Sequence, residues 1–196
     1  MRYAPEHKQK SRQRVLAAAA REIRAQGPHQ VAVAAVMAKA GLTQGAFYSH
    51  FASKDDLVVA FLQERERRWT FEWVEAQARQ RGETAEEHLL GIFDLFDEWF
   101  RREDFEGCSF INVLLEMSAA HPAGTASVGH LENIRGVVAQ LAQEAGLRDP
   151  DEFARSWHIL MKGSIVQAAE GDVDAARRAQ HLARLLIAEH RREARL

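Results

Sequence analysis

In the run AGLTQGAFYSHFASKDDL, positions 40–57, helical spacing brings Gln44, Gly45, Tyr48 and Ser49 onto one outer face, while Phe47 and Phe51, four apart, point inward. An amide, a phenol, a hydroxyl and a bare stretch of backbone are groups that bond to polar edges and phosphate oxygens. Gly41 supplies the backbone freedom for a tight turn between two helices. Thr43 stands where it can cap the segment that follows. Ser53, with Asp56 three residues on, reads as a capping box for the next helix, with Lys54 in its first turn. Short helix, turn, second short helix and capped third helix is helix-turn-helix syntax, and the second helix of such a unit enters a DNA major groove.

The charge distribution agrees with this. Positions 1–54 hold nine Lys/Arg against two acids, a balance of +7, so the net −2 of the 196 residues leaves −9 on the remainder. A basic N-terminal quarter on an acidic body fits a head that meets nucleic acid. The chain is 46% hydrophobic and 28% charged, with four prolines and no strand-like alternation, so the expected class is all-α. No signal peptide and no apolar run of the roughly 20 residues needed for a membrane span is found. One cysteine, Cys108, excludes an internal disulfide and a Cys-rich zinc site, and a reduced, cytoplasmic setting is expected.

Helical periodicity and stop signals outline nine helices. The first runs from about His7 to Gln26 and stops at Gly27-Pro28. The second spans roughly Val33 to Ala40, the third Gln44 to His50, and a long fourth helix starts after Ser53 with no breaker before Gly82. Thr84 and Glu87 form a capping box for the fifth. The sixth occupies about positions 108–118, His121-Pro122-Ala123-Gly124 breaks the chain, and the seventh ends at Gly146. Asp149 is the expected cap of the eighth, with Pro150 at its first position. Asp172 or Asp174 is the expected cap of the ninth, which ends in a basic tail. The organisation is a helix-turn-helix head, residues 1–55, joined by helix 4 to a helical ligand-binding and dimerisation body, residues 56–196.

Positions 40–57 strongly resemble the TetR family of transcriptional regulators, which show A-G-(V/L)-(S/T)-x-G-x-(L/F)-Y-x-H-F-x-(S/N)-K-(D/E)-x-L about forty residues from the N-terminus. Chain length, the helical body and the last helix pair introduced by Gly171-Asp172 agree, and positions 105–112 with His121-Pro122 look like one subgroup's body. The resemblance implies a homodimer that binds double-stranded DNA at a palindromic operator, usually to repress, and releases it when a small molecule fills the body. Carried over, the DNA-facing residues are Thr43, Gln44, Gly45, Tyr48, Ser49, His50 and Lys54. Gln44 can pair bidentately with adenine, and Gly45 allows close backbone approach. Tyr48, Ser49 and His50 are phosphate donors, and Lys54 adds a cation beside the N–H groups after Ser53. The family usually has Thr at the start of helix 2 and a polar residue or Arg two positions on; here Ala32 and Ala34 stand there.

No His-Glu-x-x-His, glycine-rich phosphate loop or nucleophile elbow is present, and the scattered histidines do not pair as metal ligands, so neither catalysis nor a cofactor is expected. In the body, Phe96, Trp99, Cys108, Phe110, Trp157 and Met161 are candidates to line a cavity for a small apolar or aromatic effector, set against ordinary core packing at the same spacing. Cys108 is either a small buried hydrophobe or a thiol activated at a helix start. The last two helices carry more apolar residues than one face each needs, so a dimer seam near Ile165, Leu182 and Leu186 is expected. Two other classes stay open: a sensor or scaffold of the same fold without DNA reading, and a small helical enzyme.

Overall fold

A computed structural model describes residues 5–191. Among them the elements are α1 (Pro5–Gln30), α2 (Val33–Lys39), a 3₁₀ segment (Gln44–Ser49), α3 (Lys54–Arg65), a π-helical segment (Glu66–Glu75), α4 (Ala76–Ala78), α5 (Ala85–Phe100), α6 (Ser109–Met117), α7 (Pro122–Glu144), α8 (Pro150–Ala169) and α9 (Ala175–His190). The architecture is all-α. Of the basic tail after α9, Arg191 pairs with Glu86 and the rest lies outside the described residues.

Two compact units are present. One holds the described part of Met1–Arg65 and Ser109–His130; the other holds Glu66–Cys108 and the described part of Leu131–Leu196. In the first, α1 packs against α2, α3 and α6, closing a core of Val15, Leu16, Ala19, Val36, Met37, Phe47, Leu57 and Phe61. In the second, α9 packs on α8 and α5, and the π segment and α4 pack on α5. Residues 109–130, read from the sequence as part of the body, belong to the compact unit of the helix-turn-helix head, because α6 lies against α1.

Local chemistry sets most element ends. Gly41 takes φ +64°, and its N–H and that of Leu42 return to the carbonyls of Ala38 and Met37, both at 2.9 Å, a closure that turns α2 sharply. The Thr84–Glu87 capping box forms with both of its reciprocal bonds. Ser53 Oγ accepts the Asp56 N–H at 3.0 Å.

Other expectations at helix ends are corrected. Thr43 and Asp149 flank their helices without a side-chain cap bond, and Asp149 sits left-handed at φ 47°. Asp174 is the N-cap of α9 but makes no side-chain cap bond; the Asp172 carboxylate accepts the Asp174 N–H at 3.1 Å. The third helix is 3₁₀ rather than α, closed by Ala46 N–H on Thr43 O and His50 N–H on Phe47 O. The seventh helix begins at Pro122 rather than after Gly124, because His121 Nδ1 accepts the Ala123 N–H at 3.2 Å and Pro needs no partner in a first turn. The fourth helix widens into the π segment, where Trp69, Thr70 and Val74 turn inward at the four-to-five-residue spacing of the wider turn.

Candidate functional site

The 3₁₀ segment divides its residues sharply by face. Phe47 is 1% exposed and Phe51 is buried beneath it, ring centroids 5.7 Å apart. Tyr48 is 75% exposed, and Thr43, Gln44, Gly45 and Ser49 are also exposed. A Cβ on Gly45 would meet nothing, so this point of the segment presents open backbone. Ser49 is less free than the sequence suggests, since its hydroxyl donates to Ala46 O at 2.7 Å. Lys54 Nζ donates to His29 O at 2.7 Å, which holds the ammonium at the last turn of α1.

Cations from α1 surround this face. Arg12 lies over the Phe51 ring at 5.0 Å, and Arg14 donates to Gly41 O at 3.4 Å. Burial lowers the His50 imidazole from its usual pKa, and the charges of Lys8 and Arg12 lower it further. The cations beside His50 make a face that favours an anion. Lys8 and Arg12 enter the sequence reading as two of the nine basic residues behind the +7 balance, not as site residues. Ala32 stands as the N-cap of α2 with no side-chain bond, and both Ala32 and Ala34 are exposed.

The candidate effector residues Phe96, Trp99, Cys108, Phe110, Trp157 and Met161 are all buried. Phe96 and Trp99 meet at 5.6 Å, and Phe93 links Phe96 at 6.1 Å to Trp157 at 5.1 Å. Trp69 and Trp73 of the π segment, which sequence reasoning did not include in the candidate cavity, join the Trp99 end at 5.5 and 5.9 Å. Phe110 does not join this network; it packs on His130 at 5.3 Å in the compact unit of the head. The Trp157 indole N–H is buried with no hydrogen-bond acceptor among the described residues. His158 is 5% exposed and its pKa is pushed down to about 3, first by burial and then by the charges of Lys162 and Arg135. Among the described residues no cluster of three metal-binding side chains is found, and no helix is long and apolar enough to cross a membrane.

At the expected seam, Ile165 is 5% exposed and belongs to the core of the single chain. Ile159 and Val166 carry the exposed face of α8 instead. On α9, Leu182 and Leu185 are exposed and Leu186 is half-buried. A groove of about 300 Å³ runs between them, lined by Ser156, Leu160, Leu182, Leu185, Leu186 and Glu189.

Residues 15–61 match the family model of bacterial regulatory proteins, tetR family. Among solved structures, a TetR-family transcriptional regulator of Streptomyces coelicolor (SCO4454) is 26% identical, covering 93% of this chain and 96% of its own, at a TM-score of 0.82. A candidate TetR regulator of Streptomyces avermitilis is likewise 26% identical, over 92% and 97%, at 0.80. A TetR regulator of Chloroflexus aurantiacus shares the fold at 22% identity and a TM-score of 0.80, over 96% and 100%. No curated protein matches. The helix-turn-helix head thus carries the tetR-family model, and over nearly the whole chain the all-α architecture is similar to that of TetR-family regulators.

Proposed function

We propose that this protein is a ligand-responsive transcriptional repressor. Two copies bind the halves of a palindromic operator through the face of Gln44, Tyr48 and Lys54, and a small apolar or aromatic molecule in the helical body releases them. The observation that carries this reading is the exposed 3₁₀ face flanked by the α1 cations. Gln44 reads base edges, while Tyr48, His50 and Lys54 hold phosphates. With Ala32 and Ala34 at the start of α2, base readout falls mainly on Gln44.

The exposed apolar residues of α8 and α9 support a two-fold dimer, which would supply the two heads that two half-sites need. The buried aromatic network and the unsatisfied Trp157 N–H support an effector site in the body, since apolar cavities with few polar groups are the usual ligand sites. A ligand there releases DNA only by favouring a body state whose heads no longer fit the operator.

Two measurements test the reading. Selection from a pool of random duplexes should enrich a palindrome. A panel of apolar and aromatic compounds, screened by tryptophan fluorescence, should contain members that compete with that duplex. Binders that quench fluorescence and leave DNA affinity unchanged would contradict the switch. The uncapped α2 start and the exposed Ala34 favour one other reading, a sensor of the same fold without specific DNA binding, which fails if a palindrome is enriched.

A further inference from the structure

His29 lies in the last turn of α1, just past the break in helical backbone at Gly27, and both of its backbone polar groups are taken by charged side chains. Its N–H donates to Glu116 Oε1 at 2.7 Å, and its carbonyl accepts Lys54 Nζ at 2.7 Å. Glu116 stands one residue before the end of α6, and Lys54 opens α3. Both belong to the same compact unit as the turn they grip. The Glu116 carboxylate also fills the space over Gly27, where φ is +80° and a Cβ would collide with it. The turn is shaped to receive this side chain. A second tie stands beside the first: His121 Nε2 lies 3.3 Å from Asp55 Oδ2, and Asp55 follows Lys54.

Charge-assisted hydrogen bonds are shorter and stronger than neutral ones, and two on one residue fix its peptide planes. The His29 carbonyl in turn selects one position for the Lys54 ammonium among the many that a four-carbon stem can reach. One N–H of the ammonium is used on His29, which leaves two for a phosphate oxygen.

We infer that Glu116 is a positioning residue for DNA binding, acting through His29 on Lys54. The inference rests on the reading that this head binds DNA. It makes a prediction opposite in sign to simple electrostatics. An acid near a DNA-binding face repels phosphate, so its removal should tighten binding; as a positioning group its removal should loosen binding.

The test uses the full chain and the duplex that the wild-type protein selects from a random pool. Affinities are measured over a range of salt for Glu116→Ala, Glu116→Gln, Lys54→Ala and the Glu116→Ala/Lys54→Ala pair, with a thermal melt for each. Glu116→Ala should bind about 3- to 10-fold more weakly. Glu116→Gln keeps an oxygen for the His29 N–H and sheds the charge, so it should bind at least as well as wild type. Lys54→Ala should weaken binding and make the salt slope shallower by roughly one ion. In the Lys54→Ala background, Glu116→Ala should have no further effect, because coupled residues are not additive.

Losses that multiply in the double variant would overturn the inference. So would a Glu116→Ala protein that binds as well as wild type or better. If Glu116→Ala melts early, the Glu116→Gln result decides: a loss of affinity there contradicts the role. A wild-type protein that selects no duplex overturns the DNA reading itself, and this inference with it.

Discussion

The rings of Tyr48 and Phe47 meet edge to face with centroids 5.3 Å apart, yet Phe47 is core and Tyr48 is 75% exposed. One side chain anchors the 3₁₀ segment and its sequence neighbour is left accessible to a partner. Stability and recognition are therefore separable within two residues.

Their separation is testable by substitution. Phe47→Ala should cost about 3–5 kcal/mol of stability, as for other buried rings, and should lower the melting temperature of the head. Tyr48→Phe should leave the melt within experimental error of wild type and weaken DNA binding to all sequences. A Tyr48→Phe protein that melts early would show that the phenol is structural.

Gln44 should govern sequence preference more than affinity for bulk DNA. Gln44→Ala should lower discrimination at one base pair by about 1–3 kcal/mol while the salt slope stays unchanged. Competition binding with single-base variants of the selected duplex reads this directly. Equal discrimination by the variant and wild type would move base readout elsewhere.

For assembly, the exposed and buried apolar residues of the last two helices should behave differently. Leu182→Glu and Leu185→Glu should shift sedimentation at micromolar concentration from dimer to monomer, since each would bury an unpaired charge in the seam. Ile165→Ala should instead destabilise the single chain by about 2–5 kcal/mol, because Ile165 is already covered. Dimers that persist in both glutamate variants would place the seam on another face.

The buried His158 sets a pH dependence. Its folded pKa, about 3, lies below the ordinary 6.5, so the unfolded chain binds more protons between those values and stability falls as pH drops through that window. Each pH unit below 6.5 should remove up to about 1.4 kcal/mol. Denaturant titrations at pH 7, 6 and 5 should show this slope, and His158→Gln should flatten it. An unchanged slope in the variant would assign the acid sensitivity to other groups.

The features legible in the sequence were those written in local chemistry. Gly41, the Thr84–Glu87 box and the Phe47/Phe51 spacing each concern residues within a turn or two, where one residue type meets one backbone need. The features that were not legible depend on distant partners or on a chosen conformation. Thr43 and Asp149 have side chains suited to capping, but the backbone at Asp149 is left-handed and the 3₁₀ register at Thr43 is closed by main-chain bonds. Glu116 meets His29 across 87 positions, and no periodic pattern signals such a contact. Ile165 and Ile159 are equally apolar on paper; only the packing of α8 against its neighbours decides which is covered.

The central claim, that the helix-turn-helix head binds DNA with a grip built on phosphate contacts, is tested most directly by the affinity of the protein for its selected duplex as salt is raised. A protein that neutralises several phosphates should lose orders of magnitude in affinity between 50 and 200 mM salt, roughly in proportion to the number of contacts. The slope should become shallower in Lys54→Ala. No enriched duplex, or an affinity that does not change with salt, would contradict the account.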